Sequence, residues 1–291
     1  MSALVTSRVR LFGLTIDSEL PLPGLELAAE GRTPDVFVRR GAFNKNEPGI
    51  VTTEIGYFAV RCGNEIIFDA LPGISQRNIR MYLLGSAMGL LLHQRGLFPL
   101  HANAVAFNGG VLAVAGASGA GKSTLAFWFL QNGLALLGDD VLALQVTPDR
   151  ALALPGLPQV RLWREALNCF GLDSKGLEQS FVDADYDKWD LPVAKSALTS
   201  ENMPLTAVYV LEDGEEIGFE RLTGAARVSA LFDHTYRGDY IDLLSASATH
   251  WQAVTRLASL VPVFRLQRPR DLSRLADLGR AVLVHARYRT C

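Results

Sequence analysis

Residues 116–123 constrain the fold of this chain more than any other stretch. Their sequence, GASGAGKS, fits the pattern G-x-x-x-x-G-K-[ST], with the apolar run VLAVA before it and the helix-like run STLAFWFLQN at its end. Glycines let the backbone turn so that successive N–H groups point at one anion, and the amino terminus of a helix adds a positive partial charge. The sequence therefore predicts a strand, a phosphate-binding loop and a helix in direct succession.

The loop has predicted roles in binding a nucleotide. Lys122 is expected to reach the β- and γ-phosphates, and the hydroxyl of Ser123 is an expected ligand of Mg²⁺. The predicted nucleotide-binding residues are Gly116, Ala117, Ser118, Gly119, Ala120, Gly121, Lys122, Ser123 and Thr124. The loop alone does not name a reaction, because kinases, ATPases, GTPases and transporter motors all use it.

Two adjacent acids follow the next apolar run. Asp139 and Asp140 come directly after LALLG, with Asp139 lying 16 residues beyond Ser123. An apolar strand that ends in acid beside a phosphate loop presents a carboxylate to Mg²⁺, and a second carboxylate can accept a proton from an attacking hydroxyl. The residue types leave open which acid does which. His101, 15 residues before Gly116, is by itself more typical of a structural histidine.

Residues 100–140, LHANAVAFNGGVLAVAGASGAGKSTLAFWFLQNGLALLGDD, resemble the catalytic core of the HPr kinase/phosphorylase family. That family carries a histidine in an early strand, a phosphate loop, a helix that ends in glycine and two aspartates at a strand end, in this order. Weaker similarity continues through LPGLPQVRLW and VPVFRL. These details look closer to the HPr-kinase-like proteins found with ribosomally made peptides, including the kinases that tailor lasso peptides.

The resemblance implies a fold and a set of roles. The fold would be α/β, with a P-loop kinase core like that of phosphoenolpyruvate carboxykinase and a β-rich N-terminal part. Asp139 would be the base that takes the proton from a serine hydroxyl, and Asp140 would support Mg²⁺ or the phosphate site. His101 would sit beside Asp139 and the γ-phosphate. True HPr kinases are hexamers, so the resemblance also implies a homo-oligomer.

The chain departs from the family's pattern at a signature of the Glu-Ile-Arg-Gly type, whose glutamate helps to bind metal. The nearest stretch is QVRL, so the neutral Gln159 replaces the acid. Either metal binding is simpler in this chain, or another acid, with Glu165 as the candidate, substitutes. This loss argues against the reverse, phosphorylase activity. Arg161 remains and is expected to contact phosphate. For the family's later catalytic arginine the candidate is Arg237, with a surface arginine as the alternative, and the nearby His234 is expected to be structural.

Hydrophobic periodicity divides the chain into three parts. Residues 1–74 are predicted to be β-rich, residues 75–96 to form a connecting helix, and residues 97–291 to form the catalytic domain. The first part does not resemble the N-terminal domain of true HPr kinases, and it is expected to recognise the substrate or mediate oligomerisation. Residues 171–203 are acidic and weakly patterned, which predicts a mobile lid, a solvated loop or a short helical insertion.

Composition narrows the partners and the compartment. A net charge of −2 over 291 residues argues against nucleic acid or a membrane surface as the main partner. The most apolar helix candidate, MYLLGSAMGLLL, has 12 residues and is too short to span a bilayer. Cys62, Cys169 and Cys291 form neither a zinc spacing nor a disulfide framework, and no signal-peptide pattern is visible. These features predict a cytoplasmic protein.

The leading hypothesis is a kinase that uses ATP and Mg²⁺ to phosphorylate a hydroxyl, with a serine of a peptide or small protein as the expected acceptor. One alternative is a small-molecule kinase on the same fold. Another is a nucleotide-binding switch without catalysis, although a pure sensor needs no base near the γ-phosphate. Transporter motors and GTPases are disfavoured, because the sequence has neither a Leu-Ser-Gly-Gly-Gln-like signature nor an Asn-Lys-x-Asp motif.

Overall fold

The computed structural model describes residues 7–44, 50–183, 185–244 and 246–288. The chain contains both helices and strands, which confirms the predicted mixed α/β class. The strands are β1 (Ser7–Leu11), β2 (Leu14–Ser18), β3 (Glu26–Leu27), β4 (Val36–Arg40), β5 (Ile50–Thr53), β6 (Gly56–Arg61), β7 (Glu65–Ala70), β8 (Phe98–Leu100), β9 (Ala102–Phe107), β10 (Gly110–Gly116), β11 (Leu136–Gly138), β12 (Leu142–Val146), β13 (Ala151–Ala153), β14 (Gln159–Trp163), β15 (Glu178–Gln179), β16 (Lys188–Pro192), β17 (Met203–Asp213), β18 (Gly218–Arg221) and β19 (Val263–Arg268). The helices are α1 (Gln76–Tyr82), α2 (Met88–Gln94), α3 (Lys122–Gln131), α4 (Arg164–Cys169), α5 (Gly224–Asp233), α6 (Tyr240–Leu243), α7 (Ser247–Leu260) and α8 (Leu275–Arg287).

Strands β1 to β7 form one sheet in the order β3-β1-β2-β4-β7-β6-β5. The sheet is mixed, because β1 and β2 pair antiparallel whereas β2, β4 and β7 run parallel. Strand β4 has the two-residue alternation of a half-buried strand: Val36 and Val38 are fully buried, and Phe37 between them is exposed. These strands fall within the residues whose composition predicted β structure.

A helical segment runs from Gln76 to Gln94 and packs under this sheet. It begins as predicted, because the hydroxyl of Ser75 accepts a hydrogen bond from the backbone N–H of Asn78 at 3.2 Å. Its middle, Leu83–Ala87, is a π-helical turn that the hydrophobic pattern did not predict. The ring of Tyr236 lies so close to Gly89 that a Cβ atom there would be 2.9 Å from it, so a larger side chain at this position would displace the ring.

The second sheet carries the phosphate loop. Its main path has the order β11-β9-β10-β17-β13-β12-β8, and β19 pairs with β17 and β18. Strands β10, β17 and β19 run parallel, whereas β9 lies antiparallel to both β10 and β11. The carboxyl ends of β10, β11, β17 and β19 therefore meet at one edge, together with the amino end of β9. Ligands of α/β sheets bind outside such an edge.

Residues 171–203 contribute strands rather than a helical insertion. Strands β15 and β16 join β14 in a small antiparallel sheet with the order β14-β16-β15. The pairing places Arg161 opposite Asp190 and Trp163 opposite Lys188. Whether this sheet moves as a lid stays a prediction.

The N-terminal sheet shares a hydrophobic core with the rest of the chain. Val141, Ala143 and Leu154 pack in the same cluster as the inner face of that sheet and the helical segment. The backbone N–H of Phe12 also donates to the carbonyl oxygen of Pro155 at 2.9 Å. The two parts are therefore in direct contact, and whether each folds alone stays a prediction.

Helix α3, which follows the phosphate loop, lies against α8 at Gly279. A Cβ atom at Gly279 would lie 2.1 Å from Cε3 of Trp128, whose rigid ring cannot rotate away within a packed core. Gly279→Ala is therefore expected to lower the free energy of unfolding by about 2 kcal/mol or more, because overpacking outweighs the higher helix propensity of alanine. Thermal unfolding measures this change. Gly218→Ala is the matched control, since its Cβ would meet only the Gln267 side chain at 3.7 Å, and an equal loss in both variants would contradict the packing argument.

Candidate active site

The phosphate loop opens into a cavity of about 280 Å³ at the shared edge of the second sheet. Strand β10 ends at Gly116, and α3 begins at Lys122 after Gly121, whose φ of +93° lies in the left-handed region that favours glycine. Residues 118–124 all line the cavity. The amino terminus of α3 therefore faces an enclosed space that can accept an anion.

Lys122 is buried at the base of the loop. Its ammonium group donates to the carbonyl oxygens of Gly116 at 2.8 Å and Ala117 at 3.0 Å, and it lies 3.0 Å from Nε2 of His101. Burial lowers the pKa of Lys122 to about 8, although the carboxylates of Asp140 and Asp139 act in the opposite direction. The side chain is thus held as a nearly dry cation, where an added phosphate is a strongly favourable partner.

The tautomer of His101 follows from its two neighbours. The Lys122 ammonium can only donate, so Nε2 of His101 is the acceptor and carries no proton. The proton then lies on Nδ1, which donates to the backbone carbonyl of Asp140 at 3.0 Å. Burial, followed by the charge of Lys122, lowers the pKa of His101 and keeps the ring neutral. His101 therefore links the phosphate-loop lysine to the acidic turn, in contact with Asp140 rather than with Asp139.

Asp139 is buried, and both of its carboxylate oxygens already have donors. Oδ1 accepts from the hydroxyl of Ser123 at 2.9 Å, and Oδ2 accepts from the backbone N–H of Arg161 at 3.0 Å. Burial raises the pKa of Asp139, and these hydrogen bonds act in the opposite direction. Asp139 does not line the cavity. Its carboxylate is connected to the cavity lining by its hydrogen bond with the hydroxyl of Ser123.

Asp140 lines the cavity and projects beside Arg161. Its φ of +74° is unusual for an aspartate and marks a strained turn of the kind that clusters at functional sites. Its carboxylate lies 3.4 Å from the guanidinium of Arg161 and 3.4 Å from Nδ1 of His101. Burial alone would raise its pKa, but Arg161, His101, Lys188 and Lys122 together outweigh burial and lower it. Asp140 is thus an ionised carboxylate exposed to the cavity.

This geometry favours the reverse of the division of labour that the family resemblance implies for the two acids. The Ser123–Asp139 pair is built from a hydroxyl and a carboxylate, the hard oxygen donors that Mg²⁺ prefers. Asp140 is the acid that an incoming hydroxyl could reach directly. The prediction that Asp139 is the base stays untested.

The other predicted residues differ in whether they line the cavity. Arg161 and Glu165 do, so Glu165 offers a carboxylate in place of the one that Gln159 lacks. Gln159, on β14, pairs with Pro192 of β16 and does not line the cavity. Arg237 packs on the ring of Tyr236 and also lies outside the lining. His234 contributes its backbone carbonyl oxygen, which accepts a hydrogen bond from the backbone N–H of His101 at 2.8 Å.

Among the lining residues that sequence reasoning missed are Arg268, Trp163 and Lys188. Arg268 is buried at the end of β19, where its guanidinium donates to the carbonyl of Ala120 in the phosphate loop and lies 3.4 Å from Asp213. The sequence signal that could have indicated Arg268 is its position as the last residue of an apolar strand. Trp163 and Lys188 come from the small sheet, whose pairing the sequence did not predict.

Part of the cavity lining is apolar and differs in chemistry from the loop. Leu211, Ile217 and Leu278 provide an apolar wall beside the cations of Arg270 and Arg274. Apolar surface flanked by a few polar groups suits the base and ribose of a nucleotide. The phosphates of such a nucleotide would then lie at the phosphate loop.

The oxygen donors around the loop suit a cation that is shared with a ligand. Within the described residues there is no cluster of three or more His, Cys, Asp or Glu side chains placed to hold a metal ion. Mg²⁺ in phosphoryl-transfer sites is held by one or two protein oxygens, by phosphate oxygens and by water. Ser123, Asp139 and Asp140 fit that arrangement, in which Mg²⁺ neutralises charge on the phosphates.

Two further sequence predictions concern the rest of the chain. Among the described residues, none of the helices combines the length and apolar character needed to cross a membrane. Cys62 and Cys169 are exposed free thiols, and Cys291 lies outside the described residues.

Comparisons with known proteins add little to this site. Neither a protein-family model nor a curated protein matches the chain. Among solved structures, the HPr(Ser) kinase/phosphatase from Coxiella burnetii is similar with 14% identity and a TM-score of 0.34, over 65% of this chain and 90% of that chain. At this level of similarity, a functional proposal has to stand on the chain's own residues.

Proposed function

We propose that this protein is an ATP-dependent kinase that transfers the γ-phosphoryl group to a hydroxyl, with a serine of a peptide or small protein as the acceptor. The phosphate loop and Lys122 bind the triphosphate. Ser123 and Asp139 hold Mg²⁺, and Asp140 accepts the proton of the attacking hydroxyl. The resemblance of residues 100–140 to HPr-kinase cores agrees with this proposal.

One observation carries the proposal: an ionised acid stands in the same cavity as a complete phosphate loop. Asp140 lines the cavity together with Lys122 and Ser123, and Arg161 is the foremost of the neighbouring cations that favour its charged form. A switch that only binds ATP needs one carboxylate for Mg²⁺, which Asp139 can supply beside Ser123, whereas a second charged carboxylate near the γ-phosphate would repel it. A kinase needs such a group to orient and deprotonate the nucleophile.

The acceptor is the less constrained part of the proposal. The cavity lining also includes Trp163, half exposed, and Glu165 at the start of α4. A peptide hydroxyl could approach Asp140 past these side chains. The kinases that tailor ribosomally made peptides provide the first acceptor class to test, and small metabolites provide the second.

Label transfer from γ-labelled ATP tests the function. Full-length protein is incubated with Mg²⁺, host-cell extract and any small peptide encoded beside its gene, and mass spectrometry identifies labelled products. A labelled serine that depends on Asp140 supports the peptide kinase, and label confined to small metabolites supports a small-molecule kinase. Tight ATP binding with no labelled acceptor would overturn the kinase proposal and leave a nucleotide switch.

A further inference from the structure

The small sheet brings a second lysine to the phosphate end of the cavity. Lys188, the first residue of β16, lines the cavity together with Lys122, Asp140 and Arg161. Among the described residues, no carboxylate lies within ion-pair distance of its ammonium group, which is 5.6 Å from the ring centroid of Trp163 and acts on Asp139 and Asp140 only at longer range. A half-buried cation without a carboxylate partner, beside a phosphate-binding loop, is suited to a ligand's negative charge.

The pairing of the small sheet fixes which way Lys188 faces. Residues two apart on a strand point to the same side, so Lys188 shares a face of β16 with Asp190. Asp190 lies opposite Arg161, with Oδ1 3.6 Å from its Nε. The face that carries Lys188 is therefore the face that meets the acidic turn. Burial dominates the pKa of Asp139 and raises it, while the charge of Lys188 is among the influences that lower it.

The N-terminal part of the chain anchors this strand. Arg77 on α1 binds Asp190 at 2.7 Å, and it also donates to Glu178 and to the backbone carbonyl of Gln179 on β15. On the same helix, the side-chain amide of Asn78 exchanges hydrogen bonds with the backbone of Val182. Five hydrogen bonds tie α1 to the small sheet and to the loop between β15 and β16, so Lys188 is presented from a held strand rather than from a loose loop.

We propose that Lys188 is a catalytic residue that binds the γ-phosphoryl group during transfer, from the side opposite Lys122. In the transfer, the acceptor oxygen forms a bond to the γ-phosphorus while the bond to the β–γ bridging oxygen breaks. The bridging oxygen leaves on ADP with the bonding electron pair, and the acceptor proton passes to Asp140. Lys188 offsets the negative charge on the three γ-oxygens throughout. This inference rests on the proposed function, and it gives the small sheet and its link to α1 a role in catalysis.

Ligand binding separates this role from the function itself. The affinities of the full chain for Mg²⁺–ADP and for a non-hydrolysable Mg²⁺–ATP analogue are measured by calorimetry in the wild type, Lys188→Met and Lys188→Arg. The contact with the γ-phosphoryl group is expected to make the wild type's preference for the triphosphate fall about tenfold or more in Lys188→Met, since hydrogen bonds to charged groups have that magnitude. The affinity for ADP should change less than about threefold, and Lys188→Arg should keep most of the preference. Lys175→Met, which removes an exposed lysine of the same segment, is the matched control.

The outcomes distinguish the two proposals. An unchanged triphosphate preference in Lys188→Met, with the wild type binding both nucleotides, would overturn the role of Lys188 and leave the kinase proposal standing. An equal loss of affinity for ADP and for the ATP analogue would overturn it as well, because Lys188 would then act on the nucleotide as a whole. Failure of the wild type to bind either nucleotide would overturn the proposed function first, and the role of Lys188 with it.

Discussion

Asp140→Asn is expected to lower kcat for phosphoryl transfer by about 10²–10⁴-fold while the affinity for ATP changes little. The substitution removes an ionised carboxylate that lines the cavity together with Lys122, and asparagine preserves the size of the side chain. The left-handed φ of +74° at this position is one that asparagine also adopts, so the turn should keep its shape. Steady-state transfer to the acceptor, with the dissociation constant for ATP measured separately, tests the prediction.

The companion variant Asp139→Asn is expected to fail in a different way. Its amide can no longer accept from both Ser123 and the backbone N–H of Arg161 with the strength of a carboxylate. We expect the Mg²⁺ concentration for half-maximal nucleotide binding to rise about tenfold or more, as when an outer partner of a metal ligand is lost. Saturating Mg²⁺ should then restore much of kcat in Asp139→Asn and none of it in Asp140→Asn.

An exposed acid-to-amide change, Glu201→Gln, controls for charge alone and should leave both quantities unaltered. If instead saturating Mg²⁺ fails to rescue Asp139→Asn, and Asp140→Asn retains most of its kcat, then Asp139 is the base, as the family resemblance implies. The pair of variants therefore decides between the two assignments of the adjacent acids.

The sequence predicted the parts of this site that are local in the chain. The phosphate loop needs only a strand, two or three glycines and a helix in succession. His101 precedes β9, which pairs with β10, and Asp139 follows β11, which pairs with β9. Their neighbourhood was thus available from short-range pattern together with the family resemblance.

The sequence did not predict the contacts that depend on distant pairing. Lys188 reaches the cavity only because β16 pairs with β14. Arg77, more than 100 residues away in the chain, binds Asp190 on the same strand. The π-helical turn LLGSA lies against Tyr236, a contact that no local pattern contains. The proposed exchange of roles between Asp139 and Asp140 rests on which of the two carboxylates lines the cavity, and adjacent identical residues give no sequence signal for that.

Lys122→Met should weaken the binding of ATP by about 10–100-fold, which is the contribution of a buried charged group that donates to phosphate. Methionine is of similar length and unbranched, so the space that Lys122 fills is kept and only the charge and its hydrogen bonds are lost. Calorimetry with Mg²⁺–ATP measures the change. Lys175→Met serves again as the exposed control, and a wild-type affinity in Lys122→Met would contradict the placement of the phosphates in the loop.

Lys122→Met should also show how much the burial of the charged Lys122 side chain lowers the free energy of unfolding when no ligand is bound. Its pKa is about 8 in the folded chain against 10.5 for an unburied lysine, so between these values the unfolded chain binds a proton that the native chain has released. Stability then rises with pH in this window, because the unfolded state holds more protons. The free energy of unfolding of the wild type should increase by up to about 3 kcal/mol relative to Lys122→Met between pH 8 and 10.5, since each pKa unit corresponds to about 1.4 kcal/mol.

Chemical denaturation of both proteins across this range, without nucleotide, measures the difference. A difference that stays constant with pH would mean that burial does not destabilise the charged form of Lys122. A saturating nucleotide should flatten the gain, because phosphates stabilise the charged ammonium and move its pKa back up.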